Sequence, residues 1–363
     1  MKFDLDTVFI EEGVRDSALA SRILDALPTT VPIKYVADGR EVARPDSAGD
    51  AFGAGKRRMV VMRRRAPFLM ACPAGSSRFA CCGYLVLALA SNCPMDCSYC
   101  FLQDYLGDNP GFQLYANFDD AFDELDALAR KNPGRQFRVG TGELADSLAF
   151  DSITGLSRDV IEFFAARQNL TLELKTKTDE IDNLLAIDPR GRVLVSWTLS
   201  PDAVYRSSEH RTASPARRIA AARAVLDAGY RVAFHFDPIV AYPGAERDYA
   251  ALVDQLLAAI PAAKISLISM GGLRMTPALR SIARRRFPDD PMLVGEDVLS
   301  PDGRYRAFTA LRLRLFAVLA EHFKRSGAAV PAYLCMETAS VHERVFGAPP
   351  PSPATIGARL AQS

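Results

Sequence analysis

From Gly83 to about residue 270, short aliphatic or β-branched runs alternate with longer helical patterns, and this alternation constrains the fold more than any other feature of the chain. The strand candidates are Leu85 to Ala90, Gln136 to Val139, Thr171 to Thr176, Val193 to Thr198, Arg231 to Phe236 and Lys264 to Ile268. Helical patterns lie between them, about Asp119 to Lys131, Ser152 to Arg167, Asp179 to Ala186, Pro215 to Asp227 and Glu246 to Ala259. The fourth carries its own start and stop signals: Ser214 as N-cap, Pro215 at the first helical position and Gly229 beyond the end. Six such units predict a parallel sheet with right-handed crossovers, two units short of a closed eightfold barrel. A doubly wound sheet is the competing arrangement, and in both a ligand collects at the C-terminal ends of the strands.

The remainder of the 363 residues flanks this α/β core. Residues 1–83 read as a small α/β lobe, with a helix over Asp16 to Leu27 and strands near Val31 to Val36 and Arg58 to Met62. The core occupies 84–270 and a mostly helical extension 271–347, with helices at Thr276 to Arg286 and Tyr305 to Lys324. The Pro-rich stretch Pro349 to Pro353 predicts that 348–363 is a disordered tail. The strongest apolar run, Tyr84 to Ala90, is far below the ~20 residues of a membrane span, and the acidic, broken N-terminus does not read as a secretory signal. A cytoplasmic protein without a membrane partner is expected.

Charge is balanced overall, with a formal net charge of +1, but unevenly spread. No acidic residue occurs between Ala51 and Met95, whereas Lys56, Arg57, Arg58, Arg63, Arg64, Arg65 and Arg78 are basic. A local positive face suited to phosphates is one reading and a solvated face the other; the same holds for Arg284 to Arg286 after Arg280.

Six of the seven cysteines lie between Cys72 and Cys100. Cys93, Cys97 and Cys100 form a CxxxCxxC directly after the first core strand. Three thiolates on one tight loop can hold three irons of a [4Fe-4S] cluster and leave the fourth iron open to a small molecule. A zinc knuckle is the alternative, but it takes four protein ligands, and the nearest downstream His is His210.

With Tyr99 just before the third cysteine, this motif resembles the radical S-adenosylmethionine superfamily, and Cys97 to Gln103 resembles the spore photoproduct lyase family within it. The resemblance continues through Leu174 to Thr178 and Asp182 to Leu185, Trp197 to Pro201, Thr212 to Ile219, and Ala228 to Ile239. It implies a partial (β/α)6 barrel of the TIM type, a [4Fe-4S] cluster on Cys93, Cys97 and Cys100, and S-adenosyl-L-methionine chelating the open iron. It further implies an electron donor such as flavodoxin or ferredoxin, and a 5′-deoxyadenosyl radical that takes hydrogen from a DNA photoproduct. The methionyl ammonium then needs a carboxylate and its carboxylate a cation, both at strand ends. Glu143 fits the first role and Lys177 the second, with Lys175 as its rival. Thr198 falls where the family has a hydroxyl, suited to the cofactor's ribose or carboxylate.

Two positions depart from the family. Its members carry a cysteine before the Thr of the second-strand motif, which returns hydrogen to the repaired thymine, and a tyrosine after the third cluster cysteine; here these are Gly140 and Phe101. Neither residue has a transferable S–H or O–H. Tyr99 and Cys335 are the candidates to supply that hydrogen, although a single Cys also reads as a small buried hydrophobe. Cys72, Cys81 and Cys82 lack a repeated CxxC spacing and read as packing before an auxiliary metal site. His235 reads as a core histidine or a site lining. The altered relay keeps open another substrate, such as RNA, a peptide or a small metabolite, and a non-catalytic iron-sulfur or zinc module.

Overall fold

The computed structural model describes residues 4–45, 49–72, 79–107, 111–327 and 330–362. All six expected core strands are present: β1 (Leu85–Leu87), β2 (Phe137–Gly140), β3 (Leu170–Thr176), β4 (Val193–Thr198), β5 (Arg231–Ile239) and β6 (Ile265–Gly272). They pair in sequence order, every neighbour parallel. A doubly wound sheet reverses its strand order at a switch point, and this sheet does not. Among the described residues its edges stay unpaired with each other, so it is a partial barrel. One edge gains β7 (Ala332–Leu334), parallel to β6, and the other gains Leu69–Ala71, antiparallel to β1.

Period-two alternation sorts the side chains into two faces. Val139, Leu172, Leu174, Val195, Trp197, Phe234, Phe236 and Ile268 belong to the main apolar core, together with residues of the surrounding helices such as Ile161, Phe164, Ile219 and Leu252. The opposite, inward face carries Arg138, Glu173, Lys175, Thr198, His235 and Asp237, a polar lining that apolar packing alone does not call for. At the base of the barrel the lining turns apolar again, with Leu194, Ala233, Leu267 and Tyr333 packed on Ile356 and Leu360.

That last contact corrects the expected tail. Residues Pro353–Gln362 form a helix, with Ile356 and Leu360 only 2% and 1% exposed. The Pro-rich stretch delays this helix rather than abolishing it, because Pro353 occupies its first position.

The N-terminal lobe is likewise not a self-contained sequence segment. Its five-stranded sheet runs Ile33–Val36, Thr7–Glu11, Arg58–Met62, Phe112–Tyr115, Ala90–Ser91. The run expected as one strand from Leu85 to Ala90 therefore breaks at residues 88–89 and serves both sheets. Helix Ala18–Ala26 starts on Ser17, whose Oγ accepts from the Ala20 amide at 3.2 Å. The pattern over Ser152 to Arg167 splits into Asp151–Thr154 and Leu156–Ala165 at Gly155, which adopts φ 61°. In the extension, helix Pro277–Arg286 appears as expected, whereas the second helix, expected from Tyr305, starts only at Thr309 and runs to Arg325, Tyr305–Arg306 being a strand. A small sheet of Arg274–Met275, Tyr305–Arg306 and Val298–Leu299 was not foreseen there.

Candidate active site

The cysteine loop leaves Ser91 through Asn92, a residue at φ 73° whose Oδ1 accepts from the Cys93 amide at 2.8 Å. Asparagine tolerates this left-handed conformation because its side chain bonds locally. Lys56, 1% exposed, donates to the carbonyls of Cys93 (2.9 Å) and Met95 (2.6 Å). Gln103 donates from Nε2 to the carbonyls of Ser98 (2.9 Å) and Cys100 (3.1 Å). Arg286 then ties Gln103 Oε1 (2.5 Å) to Asp96 (3.0 Å) and Asp50 (2.7 Å). Cys97 pairs in a short antiparallel ladder with Glu209. Three distant segments, around Lys56, Glu209 and Arg286, thus help Asn92 and Gln103 to fix one loop.

All three loop cysteines line one cavity of about 440 Å³ at the C-terminal mouth of the barrel. Glu143, Lys175, Lys177, Thr198, Tyr99 and Cys335 line the same cavity, so every site residue expected from the sequence converges there. Burial raises the Cys93 and Cys97 thiols, the latter to about 12. Thiols so placed ionise only beside a strong cation, and iron is one. Among the described residues no trio of His, Cys, Asp or Glu gathers closely enough for one metal ion. A cubane does not require that, since each of its corners takes a single thiolate. The donor set therefore fits a three-cysteine cluster.

Several site residues are already engaged. Lys177 donates from Nζ to Tyr99 Oη (2.6 Å) and Glu209 Oε1 (2.9 Å), and Tyr99 donates its hydroxyl to Glu209. Burial opposes ionisation of Glu209, but Arg218 and Lys177 outweigh it and hold the carboxyl well below its ordinary range. Lys175, the rival lysine, sits 3.7 Å from Glu143. Asp146, between the Glu143 loop and the third strand end, accepts from Thr176 Oγ1 and the Lys177 amide, both at 2.8 Å. Burial raises its carboxyl.

The floor is a charged cluster that the sequence reading missed. Glu173, fully buried, accepts from Arg138, Ser196 Oγ (2.7 Å) and His235 Nε2 (2.8 Å). Burial works against the Glu173 carboxylate, yet Arg138 and His235 hold it well below its ordinary value, while burial lowers His235. His235 is therefore both readings at once, a satisfied buried histidine and part of the lining. Charged residues at alternate positions within apolar strands, Arg138 in β2 and Glu173 and Lys175 in β3, were the available signal. Glu209 and Arg218, in a short connection and a helix, offered none.

A family model described as spore photoproduct lyase matches residues 3–305. The chain belongs to the spore photoproduct lyase family. The spore photoproduct lyase of Geobacillus sp. (strain Y412MC61) is 28% identical over 204 residues, 56% of this chain and 60% of that one. That of Clostridium acetobutylicum is 25% identical over 250 residues, 68% and 72% of the two chains. The match to the first of these family relatives thus spans less than two thirds of its length. A solved spore photoproduct lyase complexed with dinucleoside spore photoproduct superposes with a TM-score of 0.82 at 21% identity, covering 92% of this chain and all of that one. A doubly substituted form with bound AdoMet and dinucleoside spore photoproduct gives 0.81 at 22% identity, covering 93% of this chain and all of that one. The fold of the family is thereby shared. The family match ends at residue 305, so β7, Tyr333 and Cys335 belong to the part beyond it.

Most of the basic stretch is engaged with groups of the same chain. Lys56 is buried under the cysteine loop, Arg57 pairs with Asp6 (2.6 Å), Arg63 with Asp120 (3.0 Å) and Arg65 with Asp38 (2.7 Å). Arg64 donates to the Pro67 carbonyl at 2.8 Å, and Arg78 lies outside the described residues. Arg58 donates to the Ala43 carbonyl at 3.1 Å, and Arg57, Arg63 and Arg65 stay about half-exposed while paired within the lobe. No helix among the described residues is long and apolar enough to cross a membrane.

Proposed function

We propose that the protein is a radical S-adenosylmethionine lyase acting on a thymine photoproduct of DNA. The observation that carries this reading is the convergence of Cys93, Cys97 and Cys100 with Glu143 and two strand-end lysines on one cavity. When bound, the cluster and S-adenosyl-L-methionine supply a carbon-centred radical that removes a hydrogen atom from substrate. Cys93, Cys97 and Cys100 hold three irons. Glu143 takes the methionyl ammonium, Lys177 its carboxylate, and Thr198 a ribose or carboxylate oxygen. Lys177 then exchanges part of its bonding to Glu209 and Tyr99 for the ligand. Its Nζ lies 4.0 Å from Cys97 Sγ, within the same pocket as the expected ligand. Substrate of DNA type, and an electron donor such as flavodoxin or ferredoxin, complete the reading; the solved relatives bound to dinucleoside spore photoproduct support the substrate class. The hydrogen that completes the product comes from an O–H or S–H on the cavity wall, where Tyr99 and Cys335 were the expected candidates.

The test is anaerobic reconstitution with iron and sulfide, then reduction with S-adenosyl-L-methionine and dinucleoside spore photoproduct. The expected result is 5′-deoxyadenosine and restored thymine from the native chain, and neither from Cys97→Ala. Cleavage without restored thymine overturns the DNA substrate in favour of RNA, a peptide or a metabolite. No cleavage by a fully loaded cluster overturns the enzyme in favour of a binding module.

A further inference from the structure

Among the described residues that line the cavity, one buried side-chain polar group has no hydrogen-bond partner and no part in the proposed function. Tyr84, immediately before β1, is 7% exposed and lines the cavity. Its hydroxyl is buried and has no hydrogen-bond partner among the described residues. Leaving a buried hydroxyl unpaired forfeits the hydrogen bonds it made to water, so a phenol kept there in a reactive cavity points to a ligand or a reaction.

Its position is tied to Gly140. A Cβ placed on Gly140 would fall inside contact distance of Tyr84 Oη, Cζ and Cε2. The phenol therefore fills the volume that a side chain at position 140 would take, at the C-terminal end of β2. Only glycine at 140 admits it. Arg138, two residues earlier on the same face of β2, places its guanidinium 5.1 Å from the Tyr84 ring centroid, a cation–π contact that steadies the ring. Burial, then the charges of Glu173 and Glu143, push the hydroxyl well above 10, so it keeps its hydrogen. Tyr99, by contrast, has already given its O–H to Glu209.

We propose that Tyr84 is the catalytic hydrogen-atom donor that completes the product, acting from the space that Gly140 leaves open. This rests on the radical reading above. In the step, the Tyr84 O–H bond breaks homolytically, a C–H bond forms on the substrate carbon radical, and a neutral phenoxyl radical remains on Tyr84. One electron from the flavodoxin- or ferredoxin-type donor that serves the cluster, and one proton from water, restore the phenol. One S-adenosyl-L-methionine is then consumed per product.

The experiment is turnover of dinucleoside spore photoproduct in D2O by the reconstituted chain. Native protein is expected to give repaired product carrying one solvent deuterium, and a freeze-quenched tyrosyl signal when the reductant is limiting. Tyr84→Phe is expected still to form 5′-deoxyadenosine but to lose most of the product formed per 5′-deoxyadenosine, because its ring has no O–H hydrogen to give, and to lose the signal. Tyr84→Ala combined with Gly140→Cys places a thiol in the same volume and is expected to recover labelled product. Unchanged labelled product from Tyr84→Phe overturns the assignment, as does loss of label in Cys335→Ala with retention in Tyr84→Phe. Absence of 5′-deoxyadenosine from the native chain instead overturns the radical reading and this donor with it. The seating is checked in metal-free protein: Gly140→Ala is expected to lower Tm in the native background and not beside Tyr84→Ala. Equal melting in both backgrounds overturns it.

Discussion

The ammonium of Lys56 stands 2.9 Å from the carbonyl of Cys93 and 2.6 Å from that of Met95, buried beneath the loop that carries the cluster thiols. The same ammonium lies over the Phe52 ring, 4.8 Å from its centroid. Lys56→Met keeps most of the volume but strands two buried carbonyls, so a loss of ~2–3 kcal/mol is expected. Iron bound per chain after reconstitution should fall with it, because the first cysteine loses its anchor. Urea unfolding and iron analysis check this; native stability and full iron loading in Lys56→Met would show that the loop is held without the lysine.

Acid should weaken the barrel floor in two stages. His235 is lowered by burial, so the unfolded chain binds a proton that the folded chain does not, and stability declines as pH falls below the ordinary histidine value of 6.5. Glu173 is held below its ordinary value of 4.5, so its contribution is complete above that value and is lost as pH falls further toward its folded value. His235→Gln should remove the upper stage and leave the lower one. Glu173→Gln should cost ~3–5 kcal/mol at pH 7 by leaving Arg138 buried and unpaired. Denaturant melts from pH 7 down to about pH 2 check both, and an unaltered pH profile in His235→Gln would contradict the first stage.

The six-strand order was legible because each strand of the core presents an apolar face to helices, and periodicity records that contact directly. The cluster loop was legible because three thiols at fixed spacing have few other uses. Glu143, Lys177 and Thr198, singled out by their strand-end positions and by the family resemblance, do line the cavity. What the sequence hid depends on contacts between distant segments. Lys56 lies 37 positions before Cys93, and nothing in a run of basic residues distinguishes the one that is buried from those paired at the surface. Tyr84 looked like the start of an apolar run, and its role depends on the empty side of Gly140, a relation across two strands. The final helix was masked by its Pro-rich approach, although Ile356 and Leu360 are spaced four apart, as one face of a helix requires.

The lobe arginines should contribute little to any affinity for DNA. Arg63 and Arg65 are half-exposed but already paired with Asp120 and Asp38. A free arginine that neutralises a phosphate changes the slope of log affinity against log salt by about 0.9. The double variant Arg63→Ala, Arg65→Ala is expected to leave that slope within experimental error of the native value. Fluorescence anisotropy with a DNA duplex at several salt concentrations measures it, and a slope reduced by two such increments would restore the basic stretch as a phosphate-binding face.

The C-terminal helix closes the end of the barrel opposite the cavity, and its removal should separate stability from chemistry. Leu360 and Ile356 pack against Leu194, Ala233 and Leu267, inward-facing residues near the starts of β4, β5 and β6. Leu360→Ala is expected to cost ~2–4 kcal/mol, the range for a buried leucine cut to alanine. Because the thiol loop and the strand-end lysines lie at the other end of the same strands, cleavage of S-adenosyl-L-methionine by the folded variant should stay close to native. Thermal melting, with 5′-deoxyadenosine formation measured well below Tm, tests the two halves together. A variant of native stability would mean that the helix does not seal the barrel, and one of native stability but lost cleavage would place the helix in contact with the reaction.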